Sequence, residues 1–181
     1  MMRTWLDRLY LWAGFAAGGF MIAIFVLMML LSAGRPLAIN VPGGDDLVSW
    51  CMAAMSFLGL AHTFRSGELI RVGLLIDRLK GRSRRAAELV ALVAGTGFIG
   101  FFAWHAVRMT FDSWRFNDMT NGVLAVPLWI PQLGYAGGLV ILCIAFADEL
   151  LHVVRGFEPR YEASKPKTAE EAVEQAAQSG V

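Results

Sequence analysis

The sequence predicts an all-α membrane protein of four transmembrane helices, with a short amphipathic helix in the membrane interface between the second and third. Three observations carry that expectation. Of the 181 residues, 56% are hydrophobic and 17% charged, and the mean hydropathy of +0.53 is too high for an ordinary soluble domain. Four runs, residues 9–34, 47–64, 89–107 and 119–147, contain no Lys, Arg, Asp or Glu. A hydrocarbon core about 30 Å thick takes roughly 20 helical residues, so each run crosses once and none crosses twice. Finally, seven of the sixteen Lys and Arg residues fall between 65 and 85, and so basic a segment between two spans stays on the cytoplasmic side.

In chain order, the first run gives a span at about residues 10–32. Arg3 and Arg8 precede it and Ser32, Ala33 and Gly34 close it, as in a secretory signal. Its 26 uncharged residues exceed the roughly 7–15 of a signal core, which favours a retained span. The following loop, RPLAINVPGGDD, has two prolines and two glycines and ends in Asp45 and Asp46, either of which can cap a second span at about 46–64. In the connector, residues 65–85, Ser66 can cap a helix and Glu68 suits its first turn. Leu69, Val72, Ile76 and Leu79 recur at helical spacing, with Arg71 and Arg78 opposite.

The third span, about 87–108, is expected to end in a loop holding Trp104, Phe111, Trp114 and Phe116. The fourth, about 126–150, opens with VPLWIPQLGYAGG; Pro127 and Pro131 are tolerated only near a first turn, which puts the helix start close to Pro127. These spans make residues 1–155 a membrane domain. The polar tail, 156–181, includes Thr168 and Glu171 in capping-box spacing.

With the amino terminus in the cytoplasm, thirteen Lys and Arg lie inside and three, Arg35, Arg108 and Arg115, lie outside. That bias requires an even number of spans and puts both termini inside. Trp5 and Trp12 then fall at the inner boundary, and Trp50, Trp104, Trp114 and Trp129 at the outer one.

Several function classes drop out. The basic residues sit beside apolar runs and not on a soluble surface with interleaved aromatics, so no nucleic-acid partner is expected; anionic lipid is. Cys51 and Cys143 lie at different depths, too far apart for a disulfide. No catalytic triad, phosphate loop or clustered metal-ligand pattern appears, so neither an enzyme nor a cofactor is expected. A carrier usually places ionisable groups near mid-membrane. Here Asp148 and Glu149 come only at the inner end of the fourth run, where His152, Arg155 or connector arginines can pair with them. The rival reading is a small cytochrome b, since His62 and His152 both fall near the inner side, as axial haem ligands on two helices would. Gly14 with Gly18 and Gly134 with Gly138 have close-packing spacing. Nineteen glycines supply roughly two such pairs by chance, so the spacing alone decides nothing.

Over residues 5 to 155, the four-span layout, the connector RSGELIRVGLLIDRL and the PLWIPQLGYAGGLV opening of the last span resemble the DctQ-like small membrane subunit of tripartite ATP-independent periplasmic (TRAP) transporters. Arg65, Gly67, Arg71, Val72, Leu74, Leu75, Asp77, Arg78 and Leu79 fit the family's connector pattern, as Pro127, Trp129 and Pro131 fit its last span. Leu69 stands where the family often has His. The resemblance implies a non-catalytic subunit of a sodium-coupled importer of an organic anion, of the carboxylate class, in the bacterial inner membrane. Its partners would be a large multi-span transport subunit and a periplasmic substrate-binding protein. On that reading the connector, with Arg65, Gly67, Arg71, Asp77 and Arg78, contacts the large subunit. The outer ends, with Trp104, Trp114, Arg115, Asp118, Pro127, Trp129 and Pro131, receive the binding protein.

Overall fold

The computed structural model describes residues 2–34, 42–66 and 82–155. They form four helices: α1 Met2–Gly34, α2 Gly44–Ser66, α3 Arg82–Phe116 and α4 Trp129–Val154. All four are long and apolar enough to cross a membrane. The expected interfacial helix falls on connector residues 67–81, outside the described residues, as does the tail from residue 156.

Apart from the shared end of α1 and the first run at Gly34, helix ends do not coincide with the ends of the apolar runs, because loss of hydrophobicity marks a membrane boundary while backbone geometry stops a helix. The clearest case is α3. Phe111, Trp114 and Phe116, expected in a loop, lie on the helix, which continues to Phe116. Asn117 stops it by turning left-handed, at φ 56°, and the Asp118 N–H reaches back to the Ser113 carbonyl at 3.1 Å. This is a Schellman closure, with asparagine taking the position usually held by glycine. α2 is begun by Gly43 at φ 70°, whose carbonyl accepts from the Leu47 N–H at 3.1 Å. Asp45 and Asp46 therefore sit inside the first turn, where their charge suits the helix dipole, and do not cap it. α4 starts after Leu128, with Pro127 just outside and Pro131 within the first turn, where a missing N–H costs no helical bond.

The helices stand in a row, in the order α1, α2, α4, α3, and not as a closed bundle. α2 packs broadly on α1 and α4, α4 packs on α2 and α3, and α1 only grazes α4. The last of the described helices, α4, thus inserts between the second and third.

Small residues make each seam. A Cβ on Gly138 would lie 2.6 Å from the Phe57 Cβ and 2.8 Å from the Leu58 nitrogen, and one on Gly134 would lie 2.6 Å from the Ala54 Cβ. Gly134 and Gly138 are therefore where α4 meets the α2 backbone, the role the four-residue spacing allowed. Gly14 and Gly18 divide: a Cβ on Gly14 would come within 2.9 Å of the His62 ring, whereas Gly18 faces open space. The His62 Nδ1–H donates to the Tyr10 carbonyl at 3.1 Å, tying α2 to α1. Below it Tyr10, Ala61, Phe64, Leu142 and Ala145 are buried together, and Phe64 stacks on Phe146 with ring centroids 3.9 Å apart. A second buried cluster, Ala103, Ala106, Ala136 and Leu139, joins α3 to α4.

Candidate functional site

The glycine contacts fix the axial register of the helices. Ala54 lies level with Gly134, Cys143 with Gly100 and Phe146 with Gly95. At 1.5 Å per residue, Trp50, Trp114 and Trp129 then come to one level, a ring of indoles at one end of the row. Trp104 does not join them. It lies about 15 Å further in along α3, 64% exposed on the helix flank, because the helix that carries it runs two turns beyond the apolar run. Trp129 and Asp148 are nineteen residues apart on α4, about 28 Å and close to the thickness of a hydrocarbon core.

At the tryptophan end the α3–α4 connection folds into a hairpin that caps the row. Met119 and Pro127 pair as an antiparallel bridge. The Leu128 N–H donates to the Asp118 carbonyl, and the Thr120 N–H to the Val126 carbonyl, both at 2.9 Å. The Thr120 hydroxyl donates to the Leu124 carbonyl and accepts from the Val126 N–H. The tip reaches over the start of α4 to α2, where Leu124 packs on Gly43 and Gly122 abuts the Asp46 carboxylate. The hairpin thereby links α2 to α3. Its outer surface shows Phe116, Met119 and Val123, at 68%, 51% and 75% exposure.

Beneath the hairpin α3 and α4 part into an apolar groove of about 520 Å³. Val107, Thr110, Phe111 and Trp114 form one wall, and Trp129, Leu133, Gly137 and Ile141 the other. The sequence did not single this groove out. Only the absence of a side chain at Gly137, set between two packing glycines, could have signalled it. Gln132, in the same stretch, is 5% exposed, and its side-chain oxygen has no hydrogen-bond partner among the described residues.

Of the residues expected to form an outer contact, Trp114, Arg115, Asp118, Pro127, Trp129 and Pro131 gather at the hairpin and the groove mouth, and Trp104 does not. Of the connector set, Arg65 falls in the last turn of α2, while Gly67, Arg71, Asp77 and Arg78 lie outside the described residues. The opposite end of the row is polar. Glu88 is 7% and Glu149 5% exposed, and the Arg84 Nε–H donates to the Glu88 carboxylate at 3.2 Å.

The histidines are not placed to share a haem. With Ala54 level with Gly134, His62 is level with Leu142, so His152 lies about 15 Å further along the row. Axial ligands must flank one iron atom, and the His62 ring is turned onto α1 instead. The depth match expected of His62 and His152 fails because α4 extends well past the end of α2. Cys51 and Cys143 are free thiols, about 18 Å apart by the same register.

Comparison with known proteins gives a consistent picture. A family model described as "Tripartite ATP-independent periplasmic transporters, DctQ component" matches residues 22–156. Among curated proteins, the C4-dicarboxylate TRAP transporter small permease protein DctQ of Rhodobacter capsulatus is 28% identical over 119 residues, which cover 66% of this chain and 50% of that relative. The matched region thus spans about half of the relative's length.

Proposed function

The chain belongs to the DctQ component family of TRAP transporters, and from that premise we propose that it is the non-catalytic small membrane subunit of a sodium-coupled importer of organic anions. The carboxylate class of substrate is supported by a relative named for C4-dicarboxylates. The observation that carries the reading is the charge distribution. The central stretches of all four helices hold no Lys, Arg, Asp or Glu, which suits a scaffold better than a carrier, since carriers keep ionisable groups at mid-membrane. A row with two broad apolar faces offers far more lateral surface to a large multi-span subunit than a closed bundle would.

In the bacterial inner membrane the polar end, with both termini and the basic connector, faces the cytoplasm, as the positive-inside bias favours. The connector, through Arg65, Gly67, Arg71, Asp77 and Arg78, sets depth and touches the large subunit. The hairpin end, with Asp118, Pro127 and the surrounding indoles, receives the periplasmic substrate-binding protein.

Co-purification tests the reading. The tagged chain, expressed with the large-subunit gene and extracted in mild detergent, is expected to give a colourless one-to-one complex. Reconstituted with the binding protein, that complex takes up a C4-dicarboxylate only under an inward sodium gradient. A partner-free protein, or uptake by this chain alone, would overturn the assignment. Replacing Arg65 and Arg71 by Gln is expected to lower complex yield, and Asp118→Lys to raise the binding-protein concentration needed for half-maximal uptake. Unchanged yield and unchanged uptake would remove those two surfaces from the account.

A further inference from the structure

We propose that the groove between α3 and α4 binds one acyl chain of a phospholipid from the leaflet at the tryptophan end, with the lipid phosphate at Arg115. The chemistry of the lining admits little else. Below the Trp114 and Trp129 indoles at the mouth, the one polar side chain in the walls is Thr110, and its hydroxyl is already committed to the Ala106 carbonyl at 2.8 Å. A ligand with buried polar groups would find no partner there.

Length points the same way. The α4 wall runs from Trp129 to Ile141, about 18 Å at 1.5 Å per residue, which is close to half of a hydrocarbon core of about 30 Å. The groove therefore begins at the indole ring and stops near mid-membrane. There a Cβ on Gly100 would meet the Cys143 sulfur at 3.7 Å, and one on Gly95 would meet the Phe146 ring at 2.9 Å. A spanning helix of a partner needs a seam that continues through the whole membrane; an acyl chain needs one leaflet. The floor has room, since nothing lies within 4 Å of where a Cβ on Gly137 would stand.

Charge at the mouth completes the fit. Arg115 stands one turn beyond Phe111 on the same face of α3, level with the first residues of α4 and hence with the headgroups. Arg108 lies one turn below Phe111 on that face, and a long basic side chain can rise along apolar surface toward the interface. Asp112 lies between them and Asp118 follows the helix, so the stripe carries both signs and runs along the Phe111 edge of the groove wall. A cation over an apolar channel matches a phosphate over an acyl chain.

The test is native mass spectrometry of the full chain, delipidated in mild detergent and titrated with dioleoylphosphatidylglycerol. The unaltered protein is expected to retain one lipid. Gly137→Trp, which fills the floor, should lower occupancy about tenfold, and Thr110→Phe, which narrows the opposite wall, should do the same if Gly137→Trp does not fold. Arg115→Gln should weaken binding about fivefold. Gly97→Trp, at an equally open glycine outside the groove, should bind as the unaltered chain does. Equal lipid retention in the two filled variants overturns the proposal, as does an equal loss in Gly97→Trp. So does a Gly137→Trp that keeps its lipid yet no longer joins the large subunit, since the groove would then belong to the partner.

Discussion

The two flanks of α4 share one short stretch of sequence and behave oppositely. On the flank facing α2, Gly134 and Gly138 bring backbone against backbone, and a Cβ at Gly138 has no room. On the flank facing α3 at the tryptophan end, Gly137 opens onto a groove in which a Cβ touches nothing. A glycine on a membrane helix can therefore mean closure or vacancy, and the identity of the neighbouring helix determines which.

The largest expected effect would break that contrast outright. Gly138→Leu should cost about 3 kcal/mol or more, because the obstructing atoms are backbone and cannot rotate away. Gly137→Leu should melt within about 0.5 kcal/mol of the unaltered chain. Thermal unfolding in detergent, followed by loss of the monodisperse species, distinguishes the two, and equal melting temperatures would remove the α2–α4 seam as described. Asn117→Val, at a left-handed position, is expected to cost about 1–2 kcal/mol, while Asn117→Gly should be close to neutral. If the two behaved alike, the hairpin would not depend on the Schellman closure. A smaller loss, about 1 kcal/mol, is expected from Gly95→Ala, because the obstruction is the edge of the Phe146 ring, which can shift. Smallest is Gln132→Leu, which removes a buried amide whose oxygen has no partner among the described residues; it should be neutral or stabilising by up to about 1 kcal/mol. A large loss there would mean that the amide is held by a group beyond the described residues.

Much of this was legible in advance, and the limits have physical causes. The four charge-free runs led to four membrane-length helices because the bilayer imposes a length and a polarity that composition alone can meet. Pro127 and Pro131 signalled the start of α4 because a missing N–H is tolerated only outside or within a first turn. The end of α3 was misread because Arg108, Asp112 and Arg115 end an apolar run without ending a helix, and the error carried Trp104 to the wrong level. The pairing of His62 with His152 failed for a related reason: distance from a predicted boundary is not register, and register here follows from the contact of Gly134 and Gly138 with α2. The groove was barely legible, since it depends on how two helices meet, and Gly137 alone, between two packing glycines, hinted at it.

The sequence by itself determined that the chain carries four stretches long and apolar enough to cross a membrane and which family's motifs it bears, because hydropathy, charge and proline act locally, residue by residue. Only the tertiary structure decided that the helices stand in a row with α4 inserted between α2 and α3, which glycines close a seam, and where a groove stays open. Those outcomes depend on which surfaces meet across the membrane, and van der Waals packing between helices is set by the shape of both partners together.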